Sequence, residues 1–291
     1  MAYGCADDQF PLVTEPSPDS CWAAAPPRLQ GLLALAVELA HGAGQVHRRG
    51  LRSTLRVETK SSSTDLVSQV DRDSERLIVE RLSTIRPDDA VLAEEGTLRN
   101  GTSGVRWVID PLDGTTNYVY GYPAFAVSIA VEIDGEPRIG VVYDSSAGHC
   151  YQAITGFGAF CDGQPLHVSG QEDISSSLVA TGFSYDADQR ELQGSVVAVV
   201  LGRVRDIRRA GSAALDLCQL AAGHLDAYWE LDNALWDYAA GCTIAREAGA
   251  EVLFPPGAHG RGPAVVAANS SLMPSFLGLL QEAGALIQPR L

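Results

Sequence analysis

Apolar residues recur at helical spacing near the start of the chain. Leu32, Leu35, Ala36, Leu39, Ala43 and Val46 fall on one face and predict a helix from about Leu29 to Arg49. A second amphipathic helix is predicted from about Asp73 to Ile85, with Leu77, Ile78, Leu82 and Ile85 on one side and Pro87 just past its end. Between the two, Leu55–Thr59 reads as a short strand and Lys60 to Asp65 as a polar connection. From Val91 the period shortens. Val91–Ala93 and Val105–Ile109 predict strands, and Ala124–Val131 and Ile139–Tyr143 predict a hairpin around the turn Asp134-Gly135. Short strands follow at Cys150–Ala153 and Ala159–Cys161, ending at Asp162-Gly163.

The last third alternates. Strands are predicted at Leu178–Thr181, Val204–Ile207, Ala227–Glu230 and Ala264–Ala268. Helices are predicted at Gln189–Val200, Ser212–Ala222, Trp236–Ala248 and Met273–Ala283. A strand-rich stretch followed by alternation predicts an α+β half, residues 28–167, and an α/β half, residues 168–291. The first 27 residues, rich in Pro, Asp, Ser and Ala, lack a basic start followed by an apolar stretch, so they read as a mobile extension and not a signal peptide.

Composition narrows the function classes. A net charge of −15 disfavours contact with a nucleic-acid backbone, while an anionic substrate stays compatible only if cations invert the local field. The six cysteines form no C-x-x-C pair, and Cys218 and Cys242 sit in apolar helical patterns as buried thiols. No apolar run reaches the roughly 18 residues of a membrane span, so the expected location is cytoplasmic.

The carboxylates carry the chemical signal. Glu94 and Glu95 end one predicted strand, Asp110 and Asp113 end the next, and Asp237 opens a late helix. Strand ends converge on one sheet edge, where ligand sites gather. Clustered carboxylates repel unless cations sit among them, and an all-oxygen donor set suits Mg²⁺ or Mn²⁺. Each residue also has a plainer reading. Asp113-Gly114 is a common turn, Asp71 reads equally as a helix N-cap, Asp237 as a helix start, and Glu94-Glu95 as solvated charge.

Three separated segments together resemble the inositol monophosphatase family. Trp107 to Asn117 contains D-P-L-D-G-T-T-N, Trp236 to Gly241 reads W-D-Y-A-A-G, and Asp65-Leu66-Val67 with Asp71 precede Glu94-Glu95 at matching spacing. The similarity runs from about residue 29 to the end. It implies a layered αβαβα sandwich of the inositol monophosphatase / fructose-1,6-bisphosphatase type. It also implies a Mg²⁺-dependent, Li⁺-sensitive phosphoric monoester hydrolase that works through metal-activated water and is commonly a homodimer. Carried over, one metal falls to Glu94, Asp110 and the Leu112 carbonyl, a second to Asp110, Asp113 and Asp237, and a weaker third involves Glu94. Glu94, Thr115 and Asp71 attend the water. The backbone of Gly114, Thr115 and Thr116 suits phosphate, and Ala213 and Glu230 match the sugar-side elements.

The resemblance makes myo-inositol 1-phosphate the leading substrate, with fructose 1,6-bisphosphate, histidinol phosphate and 3′-phosphoadenosine 5′-phosphate as runners-up. A regulatory binding protein reusing the fold is the rival from another class. Ser63, Ser68 and Ala93 depart from commoner family residues without removing a ligand. The basic run Arg203 to Arg209 reads as an exposed strand or dimer edge ahead of a second phosphate contact, and no histidine is required by the mechanism.

Overall fold

The computed structural model describes residues 21–52, 57–59, 66–258 and 262–287. The first apolar stripe forms α1 (Pro27–Gly50), opened by proline at its first turn, where a missing N–H costs nothing. Residues 1–20 and the polar connection 60–65 lie outside the described residues. Cys21 to Pro26 do not belong to a free extension. Trp22 and Ala25 are buried, and the Trp22 ring meets Phe160 edge-on at 4.9 Å between centroids. An indole buries too much apolar area to remain in water, so Trp22 and Ala25 belong to the packed body.

A ribbon of β1 (Val57–Thr59) and β2 (Leu66–Ser68) leads into α2 (Gln69–Ile85). The main sheet contains β3 (Ala90–Ala93), β4 (Leu98–Arg99), β5 (Val105–Asp113), β6 (Ala126–Ile133), β7 (Glu136–Asp144), β8 (Cys150–Ile154), β9 (Ala159–Cys161) and β10 (Gln164–Pro165). Its order is β10-β9-β8-β7-β6-β5-β3-β4. The short helix α3 (Thr115–Tyr120) follows β5 directly. A second sheet of β11 (Leu178–Thr181), β12 (Asp206–Arg208), β13 (Ala227–Glu230), β14 (Glu251–Leu253) and β15 (Val265–Ala268) has the order β12-β11-β13-β15-β14. The remaining helices are α4 (Ala187–Leu201), α5 (Ala213–Ala221), α6 (Leu235–Glu247) and α7 (Met273–Glu282).

Side-chain alternation assigns the layers. On β5, Trp107 and Ile109 pack with α1 and α2, while Val108 faces the cluster built from α5 and α6. On β13, Tyr228 faces α5 and α6, while Ala227 and Trp229 face α4 and α7. Both sheets are therefore covered on both faces, and the order is helices, sheet, helices, sheet, helices. This is the expected αβαβα sandwich, with Cys218 and Cys242 buried in its middle layer. The strand and helix pattern identified nearly every element. It missed α3 and the short strands β2, β4, β10 and β14.

Candidate active site

A single irregularity in β5 creates the centre of the site. Asp110 pairs opposite Ser128 and Asp113 opposite Ala126, so β5 spends one residue more than β6 over that interval. In a regular strand, residues three apart face opposite sides. The bulge cancels that parity and turns both carboxylates into one cleft. Pro111, which cannot donate to a ladder, sits inside the bulge. Asp110 Oδ1 accepts the Leu112 N–H at 2.9 Å, closing the turn on itself.

Neighbouring elements bring the remaining carboxylates. Strands β3 and β5 are parallel and therefore end on one edge, where the Glu94 N–H donates to Ile109 O at 3.1 Å. Asp237 is the third residue of α6 and accepts the Ala234 N–H at 2.8 Å, a capping bond that leaves its other oxygen for the cleft. Asp113 Oδ2 is held at the start of α5 by Ser212 Oγ at 2.6 Å and the Ala214 N–H at 2.8 Å. Asn117 Nδ2 ties α3 to the same loop through Ala210 O and Gly211 O. Glu94, Asp110, Leu112, Asp113, Gly114, Thr115, Ala213, Glu230 and Asp237 all line one cleft. Thr116 does not line it, and Asp71 stands behind Thr115.

Asp71 is not the helix N-cap. That position belongs to Ser68, and Asp71 is the capping-box acid three residues on, accepting from Ser68 N at 2.9 Å and Ser68 Oγ at 2.5 Å. Its other oxygen receives Thr115 Oγ1 at 2.7 Å. Thr115 has one hydroxyl proton, so donating it to Asp71 leaves the Oγ1 lone pairs free to accept.

The electrostatics are those of an anionic hole. Burial, then the charges of Glu94, Asp113 and Asp237, hold the Asp110 carboxyl well above the usual range. Burial lifts Asp113 to about 7, against bonds from Ser212 and Ala214 that favour its anion. Burial, Glu94 and Asp113 also push Asp237 well up. Three carboxylates, Asp110 and Asp113 buried and Asp237 half-buried, resist ionisation together and form an oxygen-only set suited to a hard divalent cation, whose charge removes the penalty.

Across the cleft, Glu230 accepts Tyr228 Oη–H at 2.7 Å, and Asn233 Nδ2 supports that hydroxyl at 3.1 Å. Gly182 leaves the space Glu230 occupies, since a Cβ there would lie 2.0 Å from Glu230 Oε1. The sequence pattern missed several residues of this wall. Arg209, read as part of an exposed run, lines the cleft with its guanidinium 5.7 Å from the Phe183 ring centroid. The rest of that run behaves as expected, with Arg208 paired to Asp206 and Arg203 to Glu282. Asp216 is buried in the same wall, and Glu75 accepts the N–H groups of Glu95 and Thr97, shaping the turn after Glu94. The spacing of Asp71 and Glu75, one helical turn apart on α2, was the available signal for Glu75.

His47 supports the bulge from behind. Its Nε2 lies 2.9 Å from Pro111 O and its Nδ1 2.9 Å from Ser145 Oγ. Burial pushes its pKa down to about 4. A histidine depressed from about 6.5 contributes stability above that pH and loses it as pH falls toward 4, on the order of 3 kcal/mol in full. In urea unfolding at pH 7.5 and pH 5, His47→Gln should be less stable than the parent at the higher pH, and the gap should narrow at the lower pH. An equal gap at both values would contradict a buried neutral imidazole.

The layered fold and its acidic cleft are those of a phosphoric monoester hydrolase. The model of the Inositol monophosphatase family matches residues 28–286, and the chain belongs to that family. Inositol-1-monophosphatase SuhB of Mycobacterium tuberculosis (strain ATCC 25618 / H37Rv) is 47% identical over 236 residues, covering 78% of this chain and 81% of that protein. Nus factor SuhB of Pasteurella multocida is 39% identical over 231 residues, covering 78% of this chain and 86% of that one. The crystal structure of extragenic suppressor protein suhB from Bartonella henselae superposes with a TM-score of 0.81 at 34% identity, over 87% of this chain and 99% of that chain.

Proposed function

We propose that the protein hydrolyses a small phosphate monoester in a Mg²⁺-dependent reaction, with myo-inositol 1-phosphate as its substrate. The observation that carries this reading is the convergence of buried Asp110 and Asp113 with half-buried Asp237 on one cleft whose far wall presents Glu230. Glu94, Asp110 and the Leu112 carbonyl would hold one ion, Asp110, Asp113 and Asp237 a second, with Glu94 able to serve a third. Mn²⁺ fits the same oxygen donors. Bound there, the cations supply charge neutralisation, Lewis acidity toward phosphate oxygens and a lowered pKa for bound water.

The chain's own residues do the positioning. Asp71 takes the Thr115 hydroxyl proton into a hydrogen bond, which aims the Thr115 lone pairs at a water on the Glu94 side. Glu94 accepts a proton from that water. The Thr115 backbone N–H would serve the phosphate, and the left-handed Gly114, at φ 87°, lets that backbone approach closely. The Ala213 backbone and Glu230 accept or donate bonds to substrate hydroxyls. Residues 28–167 supply the proposed metal ligands other than Asp237, and residues 168–291 complete the site with Asp237, Ala213 and Glu230. The family resemblance further suggests inhibition by Li⁺ and a homodimer.

A carboxylate suits a polyol and offers no particular affinity for an adenine or an imidazole. Phosphate release should therefore favour inositol 1-phosphate over fructose 1,6-bisphosphate, histidinol phosphate and 3′-phosphoadenosine 5′-phosphate. Glu230→Gln should raise KM for inositol 1-phosphate by roughly tenfold, the worth of one charge-assisted hydrogen bond, with kcat little changed. Preference for another ester would keep the carboxylate mechanism and replace the substrate. The relatives named Nus factor SuhB favour a second, non-catalytic role beside hydrolysis. Stoichiometric recovery of transcription factors with the Asp110→Asn protein would support it, and recovery of none would remove it.

A further inference from the structure

The end of the β8–β9 hairpin gathers three donors that the catalytic cleft does not use. His149 Nδ1 lies 2.7 Å from Asp162 Oδ2, and Cys161 Sγ lies 3.8 Å from the same oxygen. The three ligand atoms all fall within 4.8 Å of one another. We propose that His149, Cys161 and Asp162 form a second metal site, for a borderline transition cation of the Zn²⁺ class, separate from the oxygen-only cleft.

The scaffold is fixed by backbone bonds. Cys150 N–H donates to Asp162 Oδ1 at 2.9 Å, and Asp162 N–H donates to Cys150 O at 3.2 Å. One carboxylate oxygen is therefore committed to the hairpin, and the other faces His149 and Cys161. Asp162 adopts φ 48° and Gly163 φ 80°, the tight turn that places Cys161 and Asp162 beside the start of β8. The donors are one nitrogen, one sulfur and one oxygen. That set selects Zn²⁺ and its neighbours over Mg²⁺, which takes oxygen alone. Tetrahedral Zn²⁺ requires ligand atoms about 3.3–3.7 Å apart. The sulfur and oxygen already stand near that spacing, and the His149 ring, about half exposed, has room to swing back. Solvent supplies the fourth ligand.

Binding has a proton to displace. Burial and the Asp162 charge push the Cys161 thiol up to about 12, so without metal it keeps its proton. A divalent ion replaces that proton, which leaves to solvent. The Asp162 charge also acts on His41 of α1. The site sits on the same sheet edge as Asp113 but four strands away, about 19 Å at ordinary strand spacing. It meets the middle layer through Tyr151, whose hydroxyl accepts Gln219 Nε2 of α5 at 3.1 Å, and α5 is the helix whose first turn grips Asp113.

Co²⁺ titration of the chelator-stripped full chain in excess Mg²⁺ tests the site, because only a thiolate ligand gives the intense near-ultraviolet cobalt–sulfur band. The expected result is one equivalent of band per chain, displaced by Zn²⁺, absent in Cys161→Ser and weakened on the order of 10–100-fold in His149→Ala. The Asp110→Asn protein should keep the band, whatever becomes of its phosphatase activity. No band, or a band that survives Cys161→Ser, would overturn the proposal and leave a plain His149–Asp162 pair.

Discussion

Replacing Asp110 with Asn should abolish phosphate release while leaving the fold intact. Asp110 is the carboxylate with two claims on it, because both proposed cation positions draw on its oxygens. The exchange keeps shape and volume but removes the anionic charge, leaving one neutral carbonyl oxygen where two carboxylate oxygens stood. Metal assistance is worth several kcal/mol of barrier, so the expected loss is roughly 10³-fold or more in kcat. The same change should not weaken the metal-free protein. Burial and three neighbouring carboxylates already oppose ionisation of Asp110, so an uncharged side chain there relieves repulsion. The Tm of metal-free Asp110→Asn should equal or exceed that of the parent. Mg²⁺ should raise the parent's Tm and barely move the variant's. Activity within a few fold of the parent would remove Asp110 from the centre of the account.

Gly114→Ala should damage both stability and turnover. Gly114 sits at φ 87°, and a Cβ built on it would approach Ala124 O to 2.7 Å and Gly211 O to 3.3 Å. The left-handed conformation alone costs an alanine about 1–2 kcal/mol. The clash is with backbone on two sides, so it cannot be relieved by a rotamer change. Whatever moves will shift Asp113 before it or Thr115 after it, and displacement of a catalytic group by about 1 Å costs on the order of 10²-fold. Thermal unfolding with initial-rate measurements would show both losses. A variant with parental Tm and rate would mean the loop tolerates a side chain, and the close backbone approach assigned to it would fall.

Much of this site was legible in the chain because its ligands sit at element ends. Glu94, Asp110, Asp113 and Asp237 each follow or open an apolar run, and sheet geometry alone brings such positions together. The bulge that turns Asp110 and Asp113 to one side was not legible from alternation, which predicts opposite faces for them. Only the proline inside the strand hinted at it. The far wall was harder. Arg209 is exposed like the run's other arginines, and nothing local separates it from Arg208, which pairs with Asp206 outside the cleft. Asp216 lies inside a helix whose neighbours Leu215 and Leu217 read simply as core. These residues enter the cleft because α5 packs against β6 and β7 and the loop after β12 is tied to Asn117, a tertiary event with no signature along the chain. The same holds for His47. One more histidine on an apolar stripe predicts burial, but not its bond to the carbonyl of Pro111.

Phosphate release from inositol 1-phosphate by the chelator-stripped protein, with and without added Mg²⁺, tests the central claim most directly. The account predicts negligible release without the cation, full recovery on adding it, and none in Asp110→Asn under either condition. Equal release with and without Mg²⁺, or a parental rate from Asp110→Asn, would contradict it.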